Sequence, residues 1–228
     1  MNPAKAKQVI AAGLPRSGST LQYNLVRGIL KTLHIGHGAG LLKWVHIVPV
    51  VTCWTVAKIH HAHPLIVERA GAVAVVQSYR DIRDAFVSHL HFESLPLDTD
   101  PATFVQPYLD MYHGWDAMPP HALYRVAYCT MVNDVVGEVG RLAAFLGVEL
   151  TPLQTQCVIQ FYANPKDESF TLHKDHYHLD PVTLRHDNHI YSGRAGQWMD
   201  VLSTAQIGII EDLAGEWLKE HGYEVHVA

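Results

Sequence analysis

Residues Gln8 to Leu30 read QVIAAGLPRSGSTLQYNLVRGIL, and the reading of this stretch decides the fold. Val9-Ile10-Ala11-Ala12 is a short apolar run of the kind a buried parallel strand uses. Between Ser19 and Leu33 the residues Leu21, Leu25, Ile29 and Leu33 recur every four positions, the stripe of a helix with a buried face. A strand that turns through glycines into a helix aims backbone N–H groups and the positive end of the helix dipole at one point, which suits a phosphate or a sulfate. Gly13-Leu14-Pro15-Arg16-Ser17-Gly18-Ser19-Thr20 has the spacing G-x-x-x-x-G-K-[ST], with Ser19 where that pattern has its lysine. The cation inside the loop is Arg16 instead.

Downstream the pattern alternates. Ala72–Val76 is a continuous apolar run, Leu123–Tyr128 reads as a further strand, and an apolar segment ends at Ala57-Lys58-Ile59-His60. Helices are expected over 65–70, 82–91, 102–117, 135–146 (closed by Gly147) and 204–221, with a long loop over 163–192. Strands alternating with helices predict an α/β fold with a mainly parallel central sheet flanked by helices, formed by 1–228 as one domain. A nucleoside-triphosphate hydrolase would need the loop lysine and an acidic strand end. The Ala72–Val76 run leads instead into Gln77-Ser78-Tyr79-Arg80.

The 228 residues are 48% hydrophobic and 17% charged with a net charge of −5, a balance that gives no reason to expect a nucleic-acid partner. Cys53, Cys129 and Cys157 are scattered and odd in number, which favours a reducing compartment. The first seven residues lead straight into the apolar run, so no secretory signal is expected, and the stretch between Lys43 and Lys58 is too short and too interrupted to span a bilayer. A cytoplasmic protein without membrane partner follows.

Pro15-Arg16-Ser17-Gly18-Ser19-Thr20 resembles the 5′-phosphosulfate loop of the sulfotransferases that use 3′-phosphoadenosine 5′-phosphosulfate (PAPS), whose pattern is P-[KR]-[ST]-G-[ST]-[ST]. Three later segments resemble the same family in the same order. Arg80 and Ser88, eight residues apart with Arg83-Asp84 between, match its 3′-phosphate motif, where an arginine fork and a hydroxyl can converge on one anion. Tyr128-Cys129-Thr130-Met131 with Phe145-Leu146-Gly147 resembles its Y-E-D-L … F-L-G-L segment, and Gly193-Arg194-Ala195-Gly196-Gln197-Trp198 its late R-K-G-x-x-G-x-W loop. The resemblance implies a donor site made of Arg16, Ser17, Gly18, Ser19, Thr20, Arg80, Ser88, Tyr128, Gly193, Arg194, Ala195 and Gly196. It implies PAPS as co-substrate, the bisphosphate PAP as product, no metal, and sulfonate transfer to a small-molecule hydroxyl or amine. A homodimer is compatible with it.

Lys58-Ile59-His60 resembles the family's K-x-H, whose histidine takes the acceptor proton and whose lysine contacts the sulfonate. His60, Lys58 and Arg16 are therefore the expected catalytic residues. Some branches place a glutamate base on the loop helix, but Thr20–Leu33 contains no acid. The chain departs from the family at Tyr191-Ser192, which replace the Arg-Lys of the late loop, and at Leu21, where the cytosolic branch has a tryptophan. His173, His176 and His178, with Asp175 and Asp180, allow a zinc reading, yet they lack the helical H-E-x-x-H form. Two alternatives stand beside transfer: a lysine-less P-loop kinase or phosphotransferase, and a nucleotide-binding module without turnover.

Overall fold

A computed structural model describes residues 8–41, 53–163, 180, 183–185 and 193–226. Five strands, β1 (Gln8–Ala11), β2 (Gly36–Leu41), β3 (Trp54–Lys58), β4 (Val73–Tyr79) and β5 (Leu123–Ala127), form one sheet in the order β2-β3-β1-β4-β5. Every pairing is parallel, with Ile10 opposite Ala57 on one side and Val75 on the other. Helix α1 (Ser19–Thr32) follows the glycine turn, and α2 (Pro64–Val67), α3 (Ile82–Phe92) and α4 (Ala102–His113) come next. The chain ends through α5 (Tyr128–Asn133), α6 (Val135–Leu146), α7 (Pro152–Ala163), α8 (Trp198–Val201) and α9 (Thr204–Glu220).

Both faces of the sheet are apolar because both are covered. Val9, Ala11, Val56, Ala74 and Val76 point to the face occupied by α1, α6 and α7, where Leu25, Val26, Ile29, Leu142 and Val158 bury against them. The alternate residues Ile10, Ala12, Ala57 and Val75 meet Trp115 and Ile66 on the other face. A third cluster joins α3, α4 and α9 through Phe86, Tyr108, Ile210 and Trp217.

The helices expected over 65–70 and 102–117 are shorter, Pro64–Val67 and Ala102–His113, and the sequence reading needed adjustment at further points. β4 runs on to Tyr79, so Arg80 stands immediately beyond its end. Tyr128 opens α5 rather than closing β5. A helix occupies 152–163, up to the start of the stretch expected to be one long loop. The glycine-rich segment Gly36–Leu41 is an edge strand, which no apolar alternation announces. Of the remainder of that loop only 180 and 183–185 are described; Tyr191-Ser192 and the cluster His173, His176 and His178 lie outside the described residues. Among the described residues no helix is long and apolar enough to cross a membrane.

Candidate active site

In open parallel sheets ligands bind beyond the carboxyl ends of the strands, where the chain switches direction across the sheet. Here that place is β1, since the chain leaves it for β2 and β3 on one side and returns to β4 on the other. Each strand next to β1, and β5 beyond, delivers one segment there: Gly13–Gly18 from β1, Lys58 and His60 from β3, Arg80 from β4 and Tyr128 from β5.

The loop is built by close approach. A Cβ on Gly13 would meet Ser78 Oγ and, at 2.6 Å, Ser19 Cβ. Gly18 caps α1 in the left-handed region (φ 79°), and a Cβ there would stand 2.7 Å from Met131 and 2.8 Å from the Tyr128 ring. Ser17 turns its hydroxyl inward, 2.6 Å from the Leu14 carbonyl and 2.9 Å from that of Ser78, and its N–H donates to Leu14 at 3.2 Å. Ser17 therefore shapes the loop from within. Ser19 and Thr20 open the first turn of α1, where backbone N–H groups have no intrahelical acceptor.

Arg16 adopts φ 61°, a conformation uncommon for a non-glycine residue and of the kind kept at functional sites. It swings the guanidinium across the site, where Nε donates to Ser88 Oγ at 3.0 Å and Cζ lies 4.4 Å above the Phe92 ring. Ser88 accepts this bond, so its own O–H remains able to donate. Burial and the charge of Arg80 pull the Arg16 pKa down to about 10. Lys58, buried at the end of β3, donates to Thr20 Oγ1 at 2.8 Å; burial and the nearby Arg16 lower its pKa to about 8.

His60 places Nδ1 2.6 Å from the Gly13 carbonyl oxygen. A carbonyl can only accept, so Nδ1 carries the hydrogen and Nε2 holds a lone pair. Burial and the Lys58 charge depress the imidazole to about 4, which keeps it neutral at physiological pH. Trp115 Nε1 donates to the His60 carbonyl at 3.3 Å and fixes the backbone behind it.

On the opposite side Arg80 is buried, stacked 4.6 Å over the Tyr128 ring, and donates through Nη2 to the Arg194 carbonyl at 2.6 Å. Its Nε is buried without a partner. Tyr108, which no motif of the sequence singled out, brackets the Arg80 backbone: its hydroxyl accepts from the Arg80 N–H and donates to the Arg80 carbonyl, both at 3.1 Å. Tyr128 donates to the Gly193 carbonyl at 3.3 Å. Arg194 takes part through its backbone, since its side chain leaves the site to pair with Asp200. Arg185 lies on the α1 side near Arg27. Ala195 and Gly196 line a cavity of about 300 Å³ with Arg80, Asp84 and Tyr128. Contacts thus link Arg16 to Ser88, Lys58 to Thr20, His60 to Gly13, and Arg80 to Tyr128 and the 193–194 backbone, while Ser17 faces inward and the Arg194 side chain points away.

Residues 6–222 match the family model described as the sulfotransferase domain. Flavonol 3-sulfotransferase of Flaveria bidentis is 26% identical over 179 residues; the match covers 68% of this chain and 57% of that protein, little more than half its length. Among solved structures, mouse sulfotransferase SULT7A1 complexed with PAP superposes with a TM-score of 0.68 at 14% identity, over 95% of this chain and 84% of that one. Retinol dehydratase, solved with androsterone and inactive cofactor PAP, gives 0.62 at 18% identity over 100% and 83%. These structural likenesses are of fold. The family match, across nearly the whole length, shows that the chain belongs to the sulfotransferase domain family.

Proposed function

We propose that the protein moves a sulfonate group from PAPS to the hydroxyl or amine of a small molecule by direct in-line displacement, in a reducing compartment such as the cytoplasm. The observation that carries the reading is the gathering of Arg16, Lys58 and Arg80 above one loop, close enough for their charges to act on one another, Arg80 lowering Arg16 and Arg16 lowering Lys58. Like charges brought together out of water are costly unless an anion joins them. The residues fit such a ligand on two further counts: the partnerless Nε of Arg80 offers a buried donor, and the head of α1 offers free amides. The compartment is read from three cysteines that form no disulfide.

When bound, the donor supplies an activated sulfonate with adenosine 3′,5′-bisphosphate as leaving group. Arg16, Lys58 and the first turn of α1 hold the charge that grows on the 5′-phosphate as the S–O bond breaks. His60 Nε2 takes the acceptor proton as the new bond to sulfur forms, its ring aimed by the Nδ1–H bond to Gly13. Arg80, Ser88 and the 193–196 segment hold the 3′-phosphate.

The test is the His60→Ala variant: kcat falls by roughly 10²–10⁴-fold while PAP still binds. Near-normal turnover would remove His60 from the mechanism. In the unaltered protein PAP is expected to raise the melting temperature more than ATP with Mg²⁺, and the reverse order would overturn the donor assignment.

A further inference from the structure

Asp84 is buried, 1% exposed, on the first turn of α3, and it faces a loop more than a hundred residues away. Its Oδ2 accepts the Gly196 N–H at 2.8 Å and lies 3.6 Å from Arg80 Nη2; its Oδ1 accepts the Trp198 N–H at 3.1 Å. Its backbone carbonyl accepts Gln197 Nε2 at 3.3 Å. The same loop returns to Arg80 through the Arg194 carbonyl and to Tyr128 through the Gly193 carbonyl, and Tyr128 lies under the Arg80 guanidinium. The contacts close into a ring: Asp84 to the loop, the loop to Arg80 and Tyr128, and Arg80 back to Asp84.

We infer that Asp84 is a positioning residue for the donor site, locking the Arg80 fork and the 193–198 loop into one unit and so setting how strongly a 3′-phosphate is told from a bare 3′-hydroxyl. The inference rests on the donor reading above. The Arg194 carbonyl accepts from Nη2 and the Asp84 carboxylate attracts it from 3.6 Å, which orients the guanidinium and leaves the buried Nε for a ligand. A carboxylate beside a phosphate would ordinarily repel it. Here two loop amides take up the lone pairs of Asp84, so its charge is spent on holding the loop. Asp84→Asn keeps the size, yet its amide nitrogen cannot accept from Gly196 or Trp198, and one loop contact is lost.

The experiment compares the dissociation constants of PAP and of adenosine 5′-monophosphate, which lacks the 3′-phosphate, by calorimetry in the unaltered protein and in Asp84→Asn. The expected result is a PAP constant weakened by about tenfold and a monophosphate constant changed by less than about threefold, so the preference for PAP contracts. Equal weakening of both ligands, or of neither, would overturn the inference and leave Asp84 a purely structural residue. Absence of a PAP preference in the unaltered protein would instead overturn the donor reading itself. Should Asp84→Asn fail to fold, Tyr128→Phe opens the same ring at Gly193: a PAP preference reduced about threefold supports the locked unit, and an unchanged preference overturns it.

Discussion

Arg80 and Arg83 stand one helical turn apart where β4 passes into α3, both buried, and they are held in opposite ways. Arg83 is saturated. It donates to both oxygens of Asp81 at 3.0 and 2.8 Å, to Glu211 at 2.6 Å and to the Glu224 carbonyl at 2.8 Å, with Cζ 4.0 Å over the Trp198 ring. Arg80 has one carboxylate at 3.6 Å, one carbonyl, and a buried Nε with no partner. Arg83 ties the C-terminal segment to the body of the domain. Arg80 is braced but left incomplete, which is how a guanidinium is kept when its last partner is to arrive from solution.

The contrast has measurable consequences. Arg83→Met would take from the buried Asp81 and Glu211 the guanidinium they share, leaving them the N–H groups of residue 83 and His226, and it should lower unfolding free energy by about 3–5 kcal/mol in urea titrations. Arg80→Ala strands little, because Asp84 keeps two loop amides. It should leave the urea midpoint close to that of the unaltered protein while weakening PAP by about 1.5–3 kcal/mol, measured by calorimetry. Equal destabilisation by the two substitutions would erase the distinction.

The smallest effect is in pH. Lys58, lowered to about 8 by burial and by Arg16, is cationic below that pH, and an anion would raise its pKa. The Lys58 contribution to PAP affinity should therefore be flat from about pH 7 to 8 and fall by up to about tenfold per unit above it. The stability contribution of Lys58 runs the other way. Its pKa is lower folded than unfolded, so the unfolded chain binds more protons between about 8 and 10.5, and stability rises with pH across that window. His60, near 4, should give no loss of turnover between pH 7 and 6, where an unshifted imidazole would already be charging. A fall centred near 6.5 would contradict its buried setting.

How much of this was legible depended on range. The glycine turn, α1 and the two-face apolar strands show themselves within a dozen residues, because periodicity and turn chemistry are local. Gly36–Leu41 does not, since its glycines carry no alternation and it is a strand only because β3 offers an edge. Helix α7 is masked by Gln154, Thr155, Gln156 and Gln160; Val158 is fully buried while Leu153 is largely exposed, so it presents little stripe. In the candidate site, motif spacing singled out Arg16, Lys58, His60, Arg80, Ser88 and Tyr128 as the residues to look for. It could not show that Ser17 faces inward, that Arg194 serves by its carbonyl, or that Asp84 holds amides 112 and 114 residues away. Those roles are fixed by tertiary approach alone.

The strand order also bears on how the protein comes into being. β1 is made first yet lies in the middle of the sheet, and Gln8 pairs with Thr55 and Val73, 47 and 65 residues later. None of its hydrogen-bonding neighbours is local, a topology whose loop-closure cost slows folding. The glycine turn at its end is held by β4, through the Val76 and Ser78 carbonyls, so it too depends on a distant partner. Nucleotide affinity in this protein is expected to be a property of the finished chain, acquired among its last contacts rather than carried by the motif that announces it.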